Sequence, residues 1–113
     1  MPELRDILYK VSLTSSFGSM DMDVKGLTFD SRKITPGFVF IAVAGTLSDG
    51  HNFIDKAIDA GAVAIVCERL PETVNEKVTY VTVKNSAQAL GIMASNFYGN
   101  PSEKLKLVGA TGT

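Results

Sequence analysis

The sequence predicts one small α/β domain, a mixed but mostly parallel sheet flanked by helices. Phe38-Val-Phe-Ile-Ala-Val43 and Ala62-Val-Ala-Ile-Val-Cys67 are apolar without a break, as strands covered on both faces must be. Between and beyond those runs, apolar residues recur at helical spacing, and strands alternating with helices build a covered sheet. Polar, glycine-bearing loops stand at the ends of the runs, where open α/β sheets collect their ligands.

Taken in order, Leu4, Ile7, Leu8 and Val11 have the i, i+3, i+4, i+7 spacing of a short amphipathic helix, with Pro2 tolerated at its start. Ser15, Ser16, Gly18 and Ser19 read as a loop. Val24 to Phe29 reads as a strand, ended by the polar turn Asp30-Ser31-Arg32. Pro36-Gly37 is a turn signal, and Phe38 to Val43, β-branched and aromatic, is the first buried strand. The loop Ala44 to Gly50 leads into a helix over 51–60, with Phe53, Ile54, Ala57 and Ile58 inward and Gly61 closing it. Ala62 to Cys67 is the next strand, Leu70 to Lys77 a polar connection, and Val78 to Val83 another strand. Asn85-Ser86 can cap a helix carrying Ala87, Leu90, Gly91, Ala94, Phe97 and Tyr98. Gly99-Asn100-Pro101 stops it, and Leu105 to Val108 is a last short strand. Nothing in the chain repeats, and with its elements complete to Leu107 it is expected to fold alone.

Composition narrows the function. The 113 residues are 45% hydrophobic and 20% charged, the profile of a chain that buries a core. Eleven basic residues against twelve acidic ones, with no cationic run, exclude the multiple phosphate neutralisation that duplex nucleic acid demands. The N-terminus is charged where a signal peptide is apolar, and no apolar stretch approaches the ~20 residues of a membrane span. A single cysteine, Cys67, lies within an apolar run; it forms no internal disulfide and reads as a small buried hydrophobe. A cytoplasmic protein is expected. The lone His51 has no metal-ligand spacing around it, and no nucleophile has a base beside it, so no catalytic residue and no metal site are assigned.

Two polar segments stand out. In Phe29-Asp30-Ser31-Arg32-Lys33 a strand ends in a polar cluster: Ser31 offers a hydroxyl, Arg32 a charge-assisted bond to phosphate, and Phe29 an apolar face for a base. The alternative is a turn in which Asp30 caps backbone amides and Arg32 merely pairs with it. In Gly45-Thr46-Leu47-Ser48-Asp49-Gly50-His51, two glycines permit close backbone approach and two hydroxyls precede a helix N-terminus, an arrangement suited to an anion. Here the alternative is capping by Ser48 or Asp49. The ending Gly109-Ala110-Thr111-Gly112-Thr113 follows a predicted strand and carries the first glycine and four spacers of a phosphate loop, whose second glycine and lysine would come next.

In this order and at these distances the segments resemble the Mur ligases. The family pattern of an Asp-Ser-Arg turn, a Pro-Gly turn, a Phe-x-Ala strand and a Gly-x-x-x-Asp-Gly loop is matched by Asp30-Ser31-Arg32, Pro36-Gly37, Phe40-Ile41-Ala42 and Gly45 through Gly50. Gly61-Ala62 and Val108 through Thr113 match as well. An acidic residue usually follows the Pro-Gly pair; this chain has Phe38. The resemblance implies that residues 1–107 bind UDP-N-acetylmuramoyl-dipeptide and that 108–113 begin the ATP-binding loop of a central domain, with Gly109, Thr111, Gly112 and Thr113 as its residues. It places Phe29 and Ser31 at uridine-nucleotide-contacting positions and Thr46, Leu47 and Ser48 in the loop that contacts the same ligand. Asp30, Arg32, Asp49, Gly50 and His51 stand beside them as further candidates. The reaction implied is ATP-dependent amide formation: phosphorylation of the carboxylate of UDP-N-acetylmuramoyl-L-alanyl-D-glutamate, then attack by the amine of lysine or meso-diaminopimelate. ATP and Mg²⁺ would act in central and C-terminal domains, so this chain alone is expected to bind neither and to hydrolyse no ATP. The rival readings are the sister ligase that adds D-alanyl-D-alanine, and a free-standing, non-catalytic nucleotide-sugar-binding module.

Overall fold

Five strands form one sheet: β1 (Leu13–Phe17), β2 (Gly26–Thr28), β3 (Phe38–Ile41), β4 (Ala64–Cys67) and β5 (Thr79–Val83), in the order β1-β5-β4-β3-β2. The computed structural model describes residues 3–45 and 49–98. β2 through β5 run parallel and β1 pairs antiparallel with β5, the mixed, mostly parallel sheet that the sequence predicts. The expected stop at Gly99-Asn100-Pro101 and the strand Leu105 to Val108 lie outside the described residues.

Alternate residues of a strand point to opposite faces, and both faces are used. Val39, Ile41, Ala64, Val66, Val81 and Val83 pack with Leu4 and Ile7 of α1 (Leu4–Ile7) and with Ala89 and Met93 of α3 (Ser86–Tyr98). Phe40, Ile65, Cys67 and Tyr80 pack on the other face with Ile54 and Ala57 of α2 (Ile54–Ala60). This double coverage is why β3 and β4 read as unbroken apolar runs. Cys67 is buried, and desolvation pushes its thiol up to about 11, which suits packing rather than reactivity.

Four expectations change. The first helix stops at Ile7, because Lys10 turns the chain with φ +71°; at its start the Leu4 and Arg5 amides, which lack intrahelical acceptors, donate to the Met22 and Met20 carbonyls. Asn96 Nδ2 then donates to the Ile7 and Tyr9 carbonyls, tying α3 to that end. Ser15 and Ser16, expected in a loop, lie in the edge strand β1, where the Thr14 and Ser15 hydroxyls each stand 2.7 Å from Thr82 Oγ1. Asn85 alone caps α3, accepting the Gln88 amide at 3.0 Å; Ser86 is inside the helix and buried. Ala87, Gly91 and Tyr98 are exposed, and the inward face of α3 is Ser86, Ala89 and Met93 with Leu90, Ala94 and Phe97 half-buried.

Two features of the backbone hold the βαβ unit. Gly61 ends α2 with φ +115°, where a β-carbon would also meet Pro36 backbone at 2.7 Å. Phe38, the residue in the otherwise acidic position, opens β3, and its ring fills the space beside Gly26 that a side chain there would take.

Candidate functional site

Because β2, β3 and β4 are parallel, their C-terminal ends meet along one edge and deliver Phe29, Val43 and Glu68 together. A cavity of about 580 Å³ opens there, lined by Phe29, Asp30, Ser31, Arg32, Val43, Ala44, Gly50, Phe53 and Lys56. The two segments singled out in the sequence thus share one site. Of the expected contacts, Phe29 and Ser31 line it, and Phe29 remains 61% exposed. Thr46, Leu47 and Ser48 lie outside the described residues, as do Gly109, Thr111, Gly112 and Thr113. A larger depression of about 860 Å³ beside the start of β5 is lined by Asp55, Asp59 and Glu76 against the single cation Lys77, an excess of carboxylates that disfavours a phosphate.

At the first segment the turn alternative is realised. Asp30 Oδ1 accepts the Arg32 amide at 3.0 Å and Arg32 Nε at 3.1 Å, while Oδ2 accepts the guanidinium at 3.0 Å. The bond from the Arg32 side chain, then that from its amide, holds the Asp30 carboxyl below its ordinary value; the same bond raises the guanidinium. Asp30 therefore cancels the charge of Arg32, whose side chain is 88% exposed.

At the second segment Asp49 acts as a cap. The predicted helix begins as a 3₁₀ turn, Gly50–Phe53, and Asp49 Oδ1 accepts the His51 amide at 2.9 Å. The same oxygen accepts His51 Nδ1 at 2.6 Å, and Oδ2 accepts Arg69 Nη2 at 2.9 Å. Those bonds, the His51 amide foremost, hold the Asp49 carboxyl far below the usual range. His51, its side chain only 5% exposed, accepts the Glu68 amide at Nε2, which fixes the proton on Nδ1. Asp49 and His51 thus anchor the loop and do not line the cavity. Gly50 does: its amide donates to the Val43 carbonyl at 2.9 Å, and a β-carbon there would come 2.7 Å from the Val43 nitrogen.

Lys56 was missed in the sequence. It follows Phe53 by one helical turn, so the two share a side, and its Nζ stands 5.5 Å from the Phe53 ring centroid. Among the described residues no carboxylate pairs with it, so it is the cavity's uncancelled cation. Projecting the helix that follows the glycine loop would have found it. Among the described residues no cluster of His, Cys, Asp or Glu is arranged to hold a metal ion, and no helix is long and apolar enough to cross a membrane.

Comparison with known proteins fits this architecture. The family described as Mur ligase family, catalytic domain, matches residues 23–98. The chain is 55% identical over 112 residues to the UDP-N-acetylmuramoyl-L-alanyl-D-glutamate--2,6-diaminopimelate ligase of Cytophaga hutchinsonii, covering 98% of this chain and 23% of that protein. It is 45% identical over 111 residues to the enzyme of the same name from Phocaeicola vulgatus, with the same coverage. This chain thus spans about a quarter of the length of these relatives. Among solved structures, MurF from Acinetobacter baumannii superposes with a TM-score of 0.68 over 85% of this chain and 21% of that one, at 19% identity, a likeness of fold. MurF ligase from Thermotoga maritima in complex with ADP superposes at 0.56 with 34% identity, covering 68% of this chain and 17% of that one. By its sequence and by the sheet that positions this cavity, the chain belongs to the Mur ligase family.

Proposed function

We propose that this chain binds the uridine diphosphate part of UDP-N-acetylmuramoyl-L-alanyl-D-glutamate for an ATP-dependent amide ligase that adds 2,6-diaminopimelate. The observation that carries the reading is the cavity at the ends of β2 and β3, which unites an exposed aromatic, Phe29, a hydroxyl, Ser31, and an uncancelled cation, Lys56. An aromatic face stacks a base, a hydroxyl orients it, and a cation answers the diphosphate. The names of the relatives favour diaminopimelate over lysine as the added amino acid, and the diaminopimelate branch over the D-alanyl-D-alanine branch. In this reading Thr46, Leu47 and Ser48 complete the nucleotide contacts, Gly109 to Thr113 begin a phosphate loop for ATP, and Mg²⁺ and the reacting groups belong to the central and C-terminal domains of a cytoplasmic enzyme.

An NMR titration with UDP tests it. Amide signals of Phe29–Arg32 and Ala44–Gly50 should move together, while those of Asp55, Asp59 and Glu76 stay. Ser31→Ala should weaken binding by roughly tenfold, the loss of one hydrogen bond to a charged ligand. Shifts confined to the depression beside β5, or none at all, would remove the proposal.

A further inference from the structure

Glu68 stands just past the end of β4 and reaches both ends of the segment from Ala44 to Asp49. Its Oε2 accepts the Ser86 amide and the Ser86 hydroxyl, both at 2.8 Å. With its proton so committed, Ser86 Oγ turns a lone pair to the Ala44 amide at 2.9 Å. The Glu68 backbone takes the other end: its amide donates to His51 Nε2 at 2.9 Å, and His51 Nδ1 donates to Asp49 Oδ1 at 2.6 Å. Ser86 is 1% exposed, so its polar groups have little water to fall back on and depend on these partners.

We propose that Glu68 is a positioning residue of the nucleotide site, holding Ala44 and Asp49 in place through two relays that meet at one residue. Resting on the nucleotide reading above, it assigns to Glu68 and Ser86 a role in ligand affinity, although neither lines the cavity. Two donors from one residue converge on Oε2, so the position requires an acceptor oxygen; a glutamine carbonyl supplies one and an alanine does not. The Ser86 relay acts through the side chain and the His51 relay through the backbone, which makes them separable by mutation.

The test is a UDP titration of the chain with Glu68→Ala, Ser86→Ala, the double variant and Glu68→Gln, well below each thermal midpoint. Glu68→Ala and Ser86→Ala should each weaken UDP roughly three- to tenfold, and the double variant no further, because both cut one relay. Glu68→Gln should stay within about twofold of the parent, since its carbonyl accepts both donors. Without ligand, hydrogen exchange at the Ala44 amide should quicken in both alanine variants and not in the glutamine variant. A folded Glu68→Ala chain that binds UDP like the parent overturns the proposal; should that variant not fold, Ser86→Ala carries the same comparison. A parent chain that ignores UDP sinks the nucleotide reading instead, and unchanged exchange at Ala44 in Ser86→Ala then sinks the relay as well.

Discussion

Arg32 and Lys56 both border the cavity, yet the charge available to a ligand differs between them. Asp30 grips Arg32 through its side chain and its amide, so recruiting that guanidinium to a phosphate means breaking an ion pair. Among the described residues Lys56 has only the Phe53 ring beneath it, a contact on the order of 0.5–1 kcal/mol when exposed. Lys56→Ala is therefore expected to weaken UDP by roughly five- to tenfold, more than Arg32→Ala does, and to fade as salt rises. Binding of uridine, which lacks phosphates, should be nearly untouched. A larger loss from Arg32→Ala would show that the ligand draws Arg32 away from Asp30. Ser86 teaches the complementary lesson. From sequence it reads as a cap remote from both candidate segments; in the structure its hydroxyl reaches the Ala44 amide, 42 residues away in sequence. Substituting it should disturb the site.

At the scale of elements, three turns depend on ionised carboxylates. Asp30, Asp49 and Glu68 all have lowered pKa values because backbone and side-chain donors stabilise the charged form. A depressed folded value means stability that is fully present above the unfolded value and lost as pH falls through the folded one. With ordinary values of 3.8 for the aspartates and 4.5 for the glutamate, these groups leave stability level between about pH 7 and 5.5 and erode it below about 4.5. Urea midpoints at pH 6 and pH 3 check this, and Asp49→Asn should flatten the decline. A protein equally stable at both pH values would mean that the turns do not hold these carboxylates. Strands β3 and β4 were legible because both faces are covered and no polar residue interrupts them, and β5 because its Thr79 and Thr82 are β-branched and sit among apolar residues. β1 was not, since every residue in it is exposed and its partner, β5, is supplied by the fold. Phe29 and Ser31 could be read from a strand ending in a polar turn. Glu68 could not, because its partners His51 and Ser86 are 17 and 18 residues distant in opposite directions.

Across the whole molecule, one sheet separates two apolar layers and is the only element they share among the described residues. If the layers fold as one unit, damage to either must appear in a single transition. Ile7→Val thins the layer beneath α1 and α3, and Ile65→Val thins the one beneath α2; both residues are fully buried. Each should cost about 0.5–1.5 kcal/mol. The sheet lies between them and they belong to different clusters, so their costs should add in the double variant to within about 0.5 kcal/mol. The proposed nucleotide site lies at the end of the same sheet, built from β2, β3 and β4 and from the start of α2. Ligand there should stabilise the whole unit: UDP at about a hundred times its dissociation constant adds roughly 2.7 kcal/mol. That increment should be the same in Ile7→Val and Ile65→Val as in the parent, because a cooperative unit responds to binding as a whole. Thermal melts of the four chains with and without UDP make the measurement. Two resolved transitions, or a UDP effect confined to one of the two layers, would show that the layers unfold separately and that the site reports on α2 alone.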